Sequence, residues 1–192
     1  WCGADASFFR VFNFRLIRGN PETVLEKPNS IVLTHRLAAE LFGPKDPVGQ
    51  VIQHQGRDTT LYMVTGVLED IPGQSHLRFE ALYSLSPSFV AEENENWENE
   101  WMSTYVRLRE DADAGHLEAG FQAYLQRYMG QEKAAKIRLF LQPVKDIHLW
   151  SSSFSQDLLN NQKFNGNYLY LLGLISFLVL VLAIINYTNL TT

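Results

Sequence analysis

Cysteine is nearly absent from this chain. Its single thiol, Cys2, excludes an internal disulfide, so the fold must stand on its apolar core. Phosphate-binding loops are missing as well. Without a G-x-x-x-x-G-K-[ST] run, the chain lacks the backbone cradle and lysine with which P-loop proteins hold and hydrolyse ATP. No G-x-G-x-x-G, H-E-x-x-H or C-x-x-C occurs either. Basic clusters are lacking too: 16 Lys and Arg stand against 21 Asp and Glu, a net charge of -5, which argues against a nucleic-acid partner. The most informative absence is at the end, where Phe164 to Thr192, 29 residues, carry no charged side chain.

What fills that uncharged tail is almost purely apolar from Tyr168 to Ile185 (YLYLLGLISFLVLVLAII). At about 1.5 Å of rise per residue, a run of this length crosses most of a ~30 Å hydrocarbon layer. The polar residues before it form an ordinary, mildly acidic globular sequence, long enough for one domain or two small ones. The chain starts Trp-Cys-Gly and shows no signal-peptide pattern, so it is expected to be a fragment whose export signal or first membrane helix lies upstream.

Local patterns place the elements. Phe8 to Ile17 reads as a short helical turn leading into a strand, ended by Gly19-Asn20-Pro21. Ser30 to Leu33 is a strand, Thr34 an N-cap, His35 to Phe42 a helix with Leu37, Ala38, Leu41 and Phe42 as its apolar stripe, and Gly43-Pro44 its stop. Val51 to Gln55 and Thr59 to Leu68 form a hairpin around Gly56-Arg57-Asp58. A further strand covers about Leu77 to Leu85. Ser103 to Arg109 alternates as a strand, Asp113 to Met129 is an amphipathic helix ending at Gly130, and Ile137 to Leu141 returns as a strand. That β-α-β unit cannot close a core alone, so a partner unit is expected.

Chemical constellations are weak. His35, His54, His76, His116 and His148 are scattered over different elements, whereas metal ligands come as close pairs plus a distant third, so surface or loop histidines are the better reading. Glu92, Glu93, Glu95, Glu98 and Glu100 form the densest acidic run, but without EF-hand spacing a solvated loop is favoured. Asn186-Tyr187-Thr188 and Asn189-Leu190-Thr191 match the glycosylation sequon at the end of a membrane helix, where polar side chains instead pack helix on helix. Trp97, Trp101, Trp150 and Phe154 are candidate contact aromatics. Tyr168 and Tyr170 suit the bilayer interface, and for Trp150 a binding patch and the interface both remain open. No residue is singled out as catalytic, cofactor-binding or metal-ligating, and the chain is read as a non-enzyme without cofactors.

Several stretches together resemble a known family. Ala4-Asp5-Ala6-Ser7-Phe8-Phe9 with Val11-Phe12-Asn13-Phe14 is similar to its opening motif, "AD-x-x-FF-x-VF-x-F". Ser30-Ile31-Val32-Leu33-Thr34, Leu41-Phe42-Gly43 and Asp46-Pro47-Val48-Gly49 resemble "SIVLT … LFG … DP-[IV]-G". Val64-Thr65-Gly66-Val67 with Asp70-Ile71-Pro72 resembles "VTGV-x-x-DIP", and Ile185 to Thr192 resembles "IN-x-x-NLST". These blocks, in order over nearly the whole chain, resemble those of the MacB-type periplasmic core domain of FtsX-like ABC-transporter permeases.

The resemblance implies an α+β, two-lobed periplasmic domain followed by a transmembrane helix. Residues 1–165 would be the periplasmic core. Within it, about 20–95 would be an inserted mixed α/β sabre-like lobe. Residues 1–19 and 101–148 would belong to a ferredoxin-like β-α-β porter lobe whose first half is incomplete. Residues 166–192 would be the second membrane helix and the start of a cytoplasmic segment. The family's first membrane helix, last two helices and basic cytoplasmic segment are not in this sequence. Implied partners are an ABC ATPase, a second permease copy, a periplasmic adaptor and the lipid bilayer along 168–185, at a bacterial inner membrane. The implied activity is to couple a partner's ATP hydrolysis to movement of the periplasmic domain, for export or mechanotransmission, with a joint at Asn165-Gly166-Asn167. The alternative is a membrane-anchored extracytoplasmic sensor or binding domain.

Overall fold

The computed structural model describes residues 1–55, 59–85, 102–151 and 164–191. The chain divides into two compact units, Trp1–Leu141 and Gln142–Thr192.

The first unit is built on one mixed sheet of six strands: β1 (Cys2–Ala4), β2 (Leu16–Arg18), β3 (Ser30–Thr34), β4 (Val51–Gln55), β5 (Thr59–Leu68) and β6 (Ala81–Ser84). Their order is β1-β6-β3-β5-β2, with β4 also pairing β5. The central strand β3 is buried along its whole length because it has neighbours on both edges and cover on both faces. It runs parallel to β5 and antiparallel to β6. A strand so placed reads as a continuous apolar run rather than an alternating one, which is the pattern of Ser30-Ile31-Val32-Leu33-Thr34.

One face of the sheet is covered by α2 (His35–Phe42). Ile31, Leu33, Val64, Val67 and Ala81 pack with Ala38 of that helix, flanked by Leu37 and Phe42. The helix starts where expected: Thr34 Oγ1 accepts from the Leu37 N–H at 3.3 Å, and the Asp70 carboxylate accepts from the Arg36 N–H at 2.9 Å. It ends where the Gly43 N–H donates to Ala39 O. The β4–β5 hairpin has the expected register, Gln55 opposite Thr59; its turn, 56–58, lies outside the described residues.

A second apolar nest lies beside the sheet. Asp5 Oδ1 accepts from the Ser7 N–H and hydroxyl at 2.7 and 2.6 Å and starts the short α1 (Phe8–Val11). From it, Phe8 stacks on Phe14 and meets Phe79 edge-on, while Phe12 meets Tyr105 edge-on at 4.9 Å. Aromatic rings in such offset and T-shaped pairs add to their area burial.

Two expectations change. The stretches 103–109 and 137–141 do not join the sheet and are not strands. Alternation is only a permissive signal, and a strand needs a hydrogen-bonded neighbour. The helix expected over Asp113 to Met129 is two, α3 (Ala114–Ala119) and α4 (Phe121–Met129), broken where the Gly120 N–H turns back to Leu117 O and Glu118 O. A short α5 (Gln131–Ala134) follows. On α4, Leu125 is buried, but Tyr124 and Tyr128, and Leu117 on α3, remain exposed. The strands β1 and β2, within residues 1–19, hydrogen-bond into the same sheet as β3 to β6.

The second unit holds a 3₁₀ turn (Val144–Asp146), α6 (Ile147–Trp150) and α7 (Asn167–Thr191).

Candidate membrane span, its joint and the surface cleft

Helix α7 has 25 residues and so extends about 37 Å. Within its Asn167–Leu190 stretch an 18-residue window reaches a mean hydropathy of 2.7, and none of that window is buried among the described residues. Among the described residues it is the one helix long and apolar enough to cross a membrane. It is apolar all round, as a helix facing lipid must be. Ser176 Oγ donates to Leu172 O and Thr188 Oγ1 to Ile184 O, at 2.8 and 2.9 Å, so these hydroxyls are satisfied within the helix.

The joint at Asn165-Gly166-Asn167 is fastened rather than loose. The Phe164 N–H donates to His148 O at 3.0 Å and the Gly166 N–H to Leu149 O at 2.9 Å, tying the approach to α7 onto α6. Asn165 Oδ1 accepts from the Asn167 N–H at 3.0 Å, meeting one of the orphan donors of the helix start. Gly166 does not adopt a left-handed backbone. Its role is space: a Cβ there would lie 3.1 Å from both Cζ2 and Cη2 of Trp150 and 3.2 Å from Leu149 O. Below this contact, the nearly inaccessible Ser151 donates to Gln142 Oε1 at 3.2 Å.

In the first unit, a cleft of about 430 Å³ opens where β3 passes into α2. Thr34, Arg36, Asp70, Arg78 and Glu80 line it together with Trp1. The Arg36 guanidinium pairs with Glu80 Oε1 at 2.5 Å, and Arg78 donates to Gly73 O at 3.1 Å. The Arg36–Glu80 pair is largely exposed and is a weak contributor to stability. Charges here offset one another.

The motif residues are placed as scaffold. Asp70 finishes the start of α2, Asp46 Oδ1 accepts from the Val48 N–H at 3.1 Å, and Gly66 lets β2 approach β5. Among the histidines, His54 stacks on Trp1 and His76 lies in the aromatic nest near Phe12 and Tyr105. The acidic run Glu92 to Glu100, with Trp97, Trp101 and Phe154, lies outside the described residues. Burial pushes the Cys2 thiol up. Burial also raises the phenols of Tyr62 and Tyr83, helped by each group's ionisable neighbour, Tyr83 and Cys2 respectively.

Comparison with known proteins follows the same outline. A solved domain assigned to a permease protein of Porphyromonas gingivalis is 22% identical, with a TM-score of 0.51, covering 66% of this chain and 58% of that one. It shows the fold. The periplasmic region of MacB from Actinobacillus actinomycetemcomitans is 16% identical with a TM-score of 0.45, covering 74% of this chain and 60% of that one. The chain thus spans about three-fifths of the length of each of these relatives. Among curated proteins none matches. The family described as MacB-like periplasmic core domain matches residues 2–124, well over half the chain and the whole of the sheet. With that match spanning the scaffold motifs and an apolar helix following it, the chain belongs to the MacB-like periplasmic core domain family.

Proposed function

We propose that this chain is the periplasmic and membrane-helix portion of an ABC-transporter permease subunit, which couples ATP hydrolysis by a partner ATPase to movement of its periplasmic domain. The observation that carries this reading is the order of parts: a family match over residues 2–124 followed by a candidate span, Asn167–Leu190. In this reading 1–165 is periplasmic, α7 crosses the inner membrane, and its polar end from Asn186 leads toward the cytoplasm. Residues of about 20–95 form the sabre-like lobe. The exposed Leu117, Tyr124 and Tyr128 support reading 101–148, with 1–19, as porter-like, since half a lobe presents apolar side chains to its other half. Dimerisation with a second permease copy and docking of a periplasmic adaptor belong to the same proposal.

The working parts are then surfaces and a rigid joint, not titrating side chains. An ATPase that shifts the cytoplasmic end of α7 shifts its periplasmic end too, and the bonds at residues 164–166 pass that displacement to α6. Co-purification of the full-length protein with candidate ATPases tests the proposal. An associated ATPase whose turnover rises with the permease is expected. If no ATPase associates and no turnover is stimulated, the reading fails.

A further inference from the structure

We infer that Trp150 is a bilayer-surface anchor: α6 and the first turn of α7 form one foot whose aromatic rings lie in the headgroup layer of the membrane that α7 crosses. The inference rests on the reading of α7 as a membrane span. Trp150 is far from the span in sequence, but the fold packs its ring against Gly166, one residue before the helix begins. Its depth is therefore tied to that of the helix start.

Physical dimensions then place the ring. The apolar stretch from Tyr168 to Ile185 is about 27 Å long as a helix, matching a ~30 Å hydrocarbon layer. The first turn of α7 must therefore sit at the hydrocarbon edge, and the headgroup layer continues about 5–7 Å beyond it. Trp150 lies within that layer. The residue is half-exposed, at 45%, and exposed aromatics recur at the start of α7 among its leucines: Phe164, edge-on to Tyr168 at 6.0 Å, Tyr168 itself and Tyr170. A ring with an apolar body and a polar N–H is favoured where hydrocarbon gives way to headgroups.

The foot is built before any lipid arrives. Two backbone bonds hold α6 to residues 164 and 166, Ser151 is locked to Gln142, and the missing Cβ at 166 admits the indole. Continuity with the span argues for lipid as the occupant: a partner protein covering Trp150 would have to sit within the headgroup layer itself.

Depth-dependent fluorescence quenching tests this on the full chain in phosphatidylcholine vesicles. One lipid carries bromine near the headgroup, another near the bilayer centre, and iodide serves as the aqueous quencher. Vesicle flotation is run alongside. Wild type is compared with Trp150→Phe, and with a variant in which Trp1, Trp97 and Trp101 are Phe so that Trp150 is the sole indole. The expected result is a component quenched by the shallow bromolipid more than by the deep one, lost in Trp150→Phe and retained in the sole-indole variant. Gly166→Leu, which pushes the indole away, is expected to weaken that quenching while flotation persists. Equal quenching of wild type and Trp150→Phe overturns the inference while leaving the span reading intact. So does a Trp150 signal reached by iodide alone, or shielded from every quencher by protein. A chain that does not float with vesicles overturns the span reading, and the inference with it.

Discussion

Replacing three glycines by alanine separates two costs that the fold concentrates at one place. At the β2–β5 contact the register slips, Leu16 opposite Leu68 but Arg18 opposite Val67, so β2 carries an extra residue and its end presses on β5. A Cβ on Gly66 would lie 2.9 Å from Arg18 O and 3.1 Å from Val24 Cγ1. A Cβ on Gly19 would lie 2.7 Å from Val24 Cγ1 and 2.8 Å from Thr65 O, and Gly19 also holds φ +98°. Gly73 has open space around it and no positive φ. For Gly66→Ala, crowding costs about 1–3 kcal/mol. The lower chain entropy of alanine in a strand returns roughly 0.5–1 kcal/mol. The three-residue edge strand β2 can give way, so the net loss is about 0.5–2 kcal/mol. Gly19→Ala meets a backbone oxygen of the long strand β5, and adds about 1–2 kcal/mol for a left-handed L-residue. Its net loss is about 2–4 kcal/mol. Gly73→Ala should stay within about 0.5 kcal/mol of wild type. Urea unfolding of the full chain in detergent micelles, followed by the fluorescence of Trp1 where it stacks on His54, gives the three values. The close-approach argument is refuted if Gly19→Ala is no worse than Gly73→Ala, or if Gly66→Ala costs more than Gly19→Ala.

Other consequences are open to the same assay. Leu33→Ala removes a fully buried side chain from the central strand and should cost about 2–5 kcal/mol, whereas an exposed substitution such as Leu61→Ala should cost far less. Thr34→Ala removes the cap to the Leu37 N–H and should cost about 0.5–1 kcal/mol, because Asp70 still serves the neighbouring Arg36 N–H; Thr34→Ser should restore most of the loss. Stability should fall in the alkaline range. Cys2, Tyr62 and Tyr83 are neutral when protonated and folding raises their pKa, so the unfolded chain loses these protons first. Stability is therefore undiminished below the unfolded values and declines as pH rises through them towards the folded ones. Ultraviolet titration of the tyrosines should show two that ionise late in the folded chain and normally in urea, and a normal titration in both would contradict the burial argument.

How far the fold could be read in advance depended on the range of the signals. Ser30 to Thr34, the helix His35 to Phe42 with its cap and stop, the hairpin strands on either side of 56–58, and the apolar helix from 167 are all specified by neighbours a few residues away. The strand Cys2–Ala4 was not legible, because three residues carry no period and its reason is a parallel partner, Leu82 to Ser84, near the other end of the domain. The alternation of 103–109 pointed to a strand that the sheet does not contain, since alternation describes faces and not neighbours. Gly120 sat unnoticed inside an amphipathic pattern that it divides. The ordered motif blocks identified the family correctly, yet gave no hint that Asp70 would meet the Arg36 N–H, 34 residues away.

By itself, the sequence determined what depends on local chemistry: an uncharged helix long enough for a bilayer and a disulfide-free acidic domain before it. Tertiary structure alone decided what depends on distant chain segments arriving at one place. It decided the strand order, because pairing partners are chosen by burial across the whole sheet. It decided why Gly66 must lack a side chain, because only the folded chain brings Arg18 and Val24 against it. It also decided that Trp150 stands at the foot of the apolar helix, because two backbone hydrogen bonds and a missing Cβ bring that ring to Gly166.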